Sequence, residues 1–158
     1  NNVYTIRYMN TRTFYYFTSG VSKNPRALDM ALLLIRLSIG ATFLFHGWSK
    51  VSNMDATVAM FASMGFGTVL TYIASYTEFL GGLAMLLGVF TRLAGWLLAI
   101  FMTVAITQVH LINGFNNMDG GYEFQLLLLI CSAVIAILGP GKYSLNSEVN
   151  KKVFGINQ

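Results

Sequence analysis

Charge is scarce in this chain. Of 158 residues, ten are Lys or Arg and six are Asp or Glu, 10% of the chain and under half the charged fraction of about 25% usual in a water-soluble domain. Cysteine is nearly absent: the single Cys131 excludes an intramolecular disulfide and any C-x-x-C dithiol pair, and its position in an apolar run leaves a packing role. Neither a P-loop, a GxGxxG turn, a nucleophile elbow nor a zinc-finger pattern occurs, and no helix carries the H-x-x-E or H-x-x-x-H spacing of a metal site. No flavin, haem or iron-sulfur motif is visible, nor a cleavable signal peptide. Alternation with a period of two is missing, which argues against a transmembrane barrel, and no basic stripe interleaved with stacking aromatics suggests nucleic-acid binding.

What the chain has in quantity is apolar length. Hydrophobic residues make up 55% and the mean hydropathy is +0.59. Crossing a hydrocarbon core about 30 Å thick takes roughly 20 apolar residues, and four stretches are expected to do so: about Leu28 to Trp48, Thr68 to Phe90, Leu93 to Ile112 and, shortest, Tyr122 to Leu138. The expected fold is all-α, an integral membrane four-helix bundle, because helices satisfy their backbone polar groups within each segment. Residues 28–146 form this domain. Residues 1–27, with six aromatics among basic and small polar residues, are expected at the headgroup layer or on a partner, and 147–158 form a polar tail.

Eight of the ten basic residues fall on one side of this four-span arrangement: Arg7, Arg12, Lys23, Arg26, Arg92, Lys142, Lys151 and Lys152. Only Lys50 lies on the other side, so both termini are expected in the cytoplasm, with the net charge of +4 facing anionic lipid headgroups.

Against this background the ionisable residues inside the spans stand out, since such groups normally face the protein interior and find partners. Arg36, Gly40, Phe43, Gly47 and Lys50 share a face of the first helix; Thr71, Ala74, Glu78, Gly82 and Met85 share one of the second; Ala99, Thr103, Thr107 and His110 align on the third. These smaller, more polar faces should converge, the glycines permitting close helix approach. By helical rise, Arg36 lies about 12 Å from one boundary and Glu78 about 15 Å from the other, so an Arg36 to Glu78 ion pair is expected, either as a static register pin or as a working site. His46, Lys50, Gln108, His110, Asn113 and Glu123 would form a polar mouth nearer the opposite surface.

The runs "LLLIRLSIGATFLFHGWSK", "EFLGGLAMLLGVFTRLAG", "GGYEFQLLLLI" and "GPGKYSLN" resemble the DoxX family of small four-helix membrane proteins, over about Leu28 to Asn146. The family's Arg in the first helix, His-Gly with a nearby Lys, Glu in the second helix and Gly-x-Glu before the fourth correspond to Arg36, His46, Gly47, Lys50, Glu78, Gly121 and Glu123. Lys142 and Asn146 depart mildly from the usual "GPGRYSLD". The resemblance implies a multi-pass protein of a bacterial or archaeal cell membrane, a subunit of a quinone-linked redox system of thiol or thiosulfate type. Glu78, His110, Arg36 and Glu123 would then be catalytic candidates, with Glu78 the proton carrier. His46, Lys50 and Gln108 would contact a quinone, and the electrons would come from a substrate or a further membrane or redox subunit. The alternative is a non-catalytic accessory or assembly subunit of a larger energy-converting membrane complex; transport fits less well, since no inverted repeat is present.

Overall fold

The computed structural model describes residues 24–145, and every element in that range is helical. The expectations for the aromatic N-terminal segment before residue 24 and for the tail from 146 onward lie outside the described residues. Five α-helices follow one another: α1 (Pro25–Ser52), α2 (Met54–Ser63), α3 (Thr68–Leu87), α4 (Thr91–Ala105) and α5 (Glu123–Leu138). Beyond Ala105 the α4 rod continues as a π turn, Ile106–His110, and a 3-10 turn, Leu111–Asn113. Three segments, Arg26–Ser52, Thr68–Leu87 and Thr91–Asn113, are long and apolar enough to cross a membrane. α5 is apolar but has 16 residues, a rise of about 24 Å, short of a hydrocarbon core about 30 Å thick.

α1 packs along α3, α4 along α5, and the two pairs meet through α3 with α4 and α1 with α5. Their shared core holds Leu32, Ile39, Phe43, Met85, Leu98, Met102, Leu128 and Ile135, while Leu34, Val69, Leu80, Leu93, Ile100 and Ile137 cover the outside. Burying small residues and exposing large apolar ones is what lipid, as the outer solvent, permits. The antiparallel α1 and α3 helices touch at backbone level. A Cβ on Gly47 would overlap the Phe79 backbone, and one on Gly82 would overlap that of Leu44.

Those contacts set the register, and they move Arg36 away from Glu78. With Gly47 level with Phe79 and Gly40 level with Gly82 and Leu86, α1 overshoots the end of α3 by several turns, and Arg36 lies beside Gly88, where α3 stops. The expected Arg36 to Glu78 pair does not form. Equal depths for the two residues require the helix ends to coincide, whereas α1 has 28 residues against 20 in α3. Buried Arg36 instead donates from Nη1 to the Pro140 carbonyl at 3.0 Å and from Nη2 to the Tyr143 carbonyl at 2.6 Å. It thereby clamps the segment after α5 onto α1. Gly88, at φ +73°, completes the fit, because a side chain there would meet both the Arg36 guanidinium and Ser144.

α2 lies outside the four expected spans. It is a ten-residue helix laid across the opposite end, tied back to α1 by the Thr57 hydroxyl, which donates to the carbonyls of Lys50 at 3.0 Å and Asn53 at 2.9 Å.

Candidate functional site

Two of the predicted site residues form an ion pair. The Lys50 Nζ stands 2.6 Å from both Glu78 carboxylate oxygens, with the Glu78 side chain 7% exposed and that of Lys50 23%. Each owes its orientation to the glycine contacts described above: Lys50 is about one turn beyond Gly47, and Glu78 adjoins Phe79. The ammonium has three protons, so the carboxylate leaves one free. The Lys50 ammonium also lies over the ring of Phe61 from α2, 5.9 Å from its centroid.

His110 joins them through the π turn. The buried face of α4 runs through Thr91, Ala94, Leu98 and Met102, and Ala105 continues it, half buried. A regular helix would next bring Gln108 or Val109 to that face; the wider π turn brings His110. Its Nδ1 lies 2.8 Å from the Gly120 carbonyl, which can only accept, so the proton is assigned to Nδ1. Its Nε2 then accepts from the side-chain amide of Gln125 at 3.1 Å. Asn113 donates to the same Gly120 carbonyl at 3.1 Å, anchoring the loop between α4 and α5.

Lys50, Glu78 and His110 form a wall between two cavities. One, of about 390 Å³, lies beneath α2 between α3 and α4, and is lined by Met60, Phe61, Phe66, Ile73 and Phe101 among others. Its flank includes Leu70, Ile73, Ile100 and Val104, large apolar side chains exposed on the outer surface of α3 and α4. The other, about 170 Å³, is lined by His46, Phe124 and Gln125 as well as the three wall residues. Among the described residues no group of three His, Cys, Asp or Glu side chains is arranged to hold a metal.

The remaining predicted residues are placed elsewhere. Arg36 lines neither cavity; it is about 21 Å of helix rise from Lys50. Gln108 is exposed and also lines neither, so the structure does not bring it to the expected mouth. Glu123 is exposed at the start of α5, where its Oε2 accepts the Asn117 backbone N–H at 3.3 Å, shaping the loop rather than the cavities. His46, exposed, packs edge-on to Phe45 and 6.4 Å from Phe124 at the rim of the smaller cavity. Gln125 is the residue that sequence reasoning missed. Its signal was present: Gln125, Leu128, Ser132 and Ile135 repeat at three and four residues along the face that α5 turns inward, and Glu123 lies about 200° around from it.

Three helical segments long and apolar enough to cross a membrane, with an ion pair and an imidazole facing an apolar cavity between them, define an integral membrane protein. The chain belongs to the DoxX family, whose profile matches residues 31–111, from the second turn of α1 to the first residue after the π turn. It is similar to "Putative oxidoreductase CatD" of Bacillus subtilis (strain 168), 32% identical over 126 residues, covering 80% of this chain and 92% of that protein. It is also similar to two inner membrane proteins of Escherichia coli (strain K12). YqjF is 30% identical over 128 residues, covering 78% of this chain and 95% of the relative; YphA is 27% identical over 150 residues, covering 85% and 97%. No solved structure matches the chain significantly.

Proposed function

We propose that this protein is the membrane subunit of a quinone-linked oxidoreductase, and that the cavity of about 390 Å³ holds the quinone with a carbonyl against Lys50. The observation carrying this reading is the Lys50 and Glu78 pair at the inner end of an apolar cavity whose flank reaches the outer apolar surface of α3 and α4. The volume lies within the range of about 300–1,000 Å³ usual for small-molecule sites. A lipophilic ring fits the aromatic and Met lining, and a tail can leave between α3 and α4 without crossing water. The similarity to a protein named as an oxidoreductase supports the same class.

The bound quinone would supply a two-electron, two-proton redox couple. The chain's own part is binding and proton handling. The free Lys50 N–H donates to the carbonyl and favours negative charge developing on that oxygen. Glu78 holds the ammonium in place and can take up or release a proton as the local charge changes. His110, its ring fixed between Gly120 and Gln125, stands between this end of the cavity and the smaller polar one, which gives protons a route toward the loop end of the molecule. α2 covers the site. Electrons would be delivered by a thiol- or thiosulfate-class donor or by an associated redox subunit. In this reading α5 completes a four-helix crossing, the termini face the cytoplasm, and the host membrane is the prokaryotic inner membrane.

The test is binding of a short-tailed quinone to the protein purified in a gentle detergent, with mass spectrometry of everything that co-elutes. Saturable binding lost in Glu78→Gln, with folding retained, supports the reading. Absence of quinone binding, with recovery inside a larger complex whose redox centres lie in other subunits, would assign the chain as an accessory subunit instead.

A further inference from the structure

At the end of the molecule away from Lys50, a second cleft of about 720 Å³ opens between the start of α1, the start of α4 and the segment that follows α5. We infer that this cleft binds the phosphate group of an anionic phospholipid, held by Thr91, Arg92 and Lys142. Thr91 is 3% exposed and lines the cleft, and no group among the described residues bonds its hydroxyl. A hydroxyl that the protein leaves unpaired at the wall of a cleft is free to bond an oxygen-rich ligand there.

Thr91 is also the first residue of α4. The residue before it, Phe90, offers no side-chain oxygen, so no side chain caps this helix, and its first-turn N–H groups carry the positive end of the helix dipole. Arg92 reaches over the end of α5, donating from Nη2 to the Ile137 carbonyl at 3.1 Å and retaining its other donors; Gly139 leaves room for the guanidinium to lie there. Lys142, exposed and also lining the cleft, adds a second cation. The one acid present, Asp29, has an oxygen engaged by the Lys142 backbone N–H at 3.0 Å, which turns it toward the loop. Leu32 and Leu138 supply apolar wall beside this polar floor, the order of surfaces that a glycerophospholipid presents from phosphate to acyl chain. Free phosphate would use the polar groups and leave the apolar wall uncovered, which favours the lipid.

The experiment is native mass spectrometry of the full chain released from nanodiscs of phosphatidylcholine containing a minor fraction of phosphatidylglycerol. One retained phosphatidylglycerol per chain is expected, weakened about fivefold for each cation removed in Arg92→Gln and Lys142→Gln, both at exposed positions, and also reduced in Thr91→Val. Equal retention of phosphatidylglycerol and phosphatidylcholine, or undiminished retention in the Arg92→Gln and Lys142→Gln double variant, would overturn the assignment. Displacement of the lipid by millimolar inorganic phosphate would assign the site to free phosphate and overturn it equally.

Discussion

Lys50 and Glu78 are paired across the α1 and α3 interface at 2.6 Å, about one helical turn from the point where Gly47 lets the two backbones touch. Geometry and charge are therefore set by the same contact: the close approach brings the cation within reach of the carboxylate, and the pair makes burying either charge tolerable.

Removing one member leaves the other buried and unpaired. Lys50→Met is expected to lower stability by on the order of 3–5 kcal/mol, while the double variant Lys50→Met with Glu78→Leu recovers most of the loss, because an apolar pair of similar volume has no desolvation cost. Thermal unfolding in mild detergent reads this. A double variant as unstable as the single would mean that packing, not charge, dominates at this position.

Gly47→Ala should force α1 and α3 apart, costing about 1–3 kcal/mol or more, as overpacking does in a close-packed interior. Gly67 is the control: nothing lies within 4 Å of a Cβ there and its φ is −74°, so Gly67→Ala should cost only the several tenths of a kcal/mol of a poorer N-cap. Both are measured in the same unfolding experiment.

Arg36 acts as a clamp, so Arg36→Met should loosen the segment after α5 and leave the Lys50 and Glu78 pair untouched. The readout is maleimide labelling of Ser144→Cys in a Cys131→Ala background. Ser144 is buried, and its labelling should accelerate by about a hundredfold or more once the two charge-assisted bonds, each contributing roughly 1.5–3 kcal/mol, are removed. Unchanged labelling would place the hold on this segment elsewhere.

Gln125 and Gln108 separate the observed site from the one expected at the mouth. Gln125→Leu removes the partner of His110 Nε2 and should weaken quinone binding about fivefold, the equivalent of roughly one neutral hydrogen bond of 1 kcal/mol. Gln108→Ala should have no effect. A titration with the same short-tailed quinone decides, and the opposite ranking would return the site to the exposed face of the helix.

Much of the site was legible because helical rotation is a local property. The inward faces containing Gly40, Phe43 and Gly47 on α1, and Thr71, Ala74, Glu78, Gly82 and Met85 on α3, follow from a repeat of 3.6 residues and are buried as expected. The inward line of α4 was legible only as far as Ala99. Thr103 and Thr107 are exposed with their hydroxyls bonded to backbone carbonyls one turn back, and the π turn that brings in His110 has no counterpart in a regular helical count.

The sequence by itself determined that the chain is an α-helical membrane protein, which side of α1 and α3 is polar, and the DoxX resemblance that the family match establishes. These depend on composition, periodicity and short motifs, all properties of neighbouring residues. Which charge meets which was decided only by the tertiary structure. Axial register between helices is set by where two backbones can approach, at Gly47 and Gly82, and one helix overshooting another by several turns is enough to exchange Arg36 for Lys50 as the partner of Glu78.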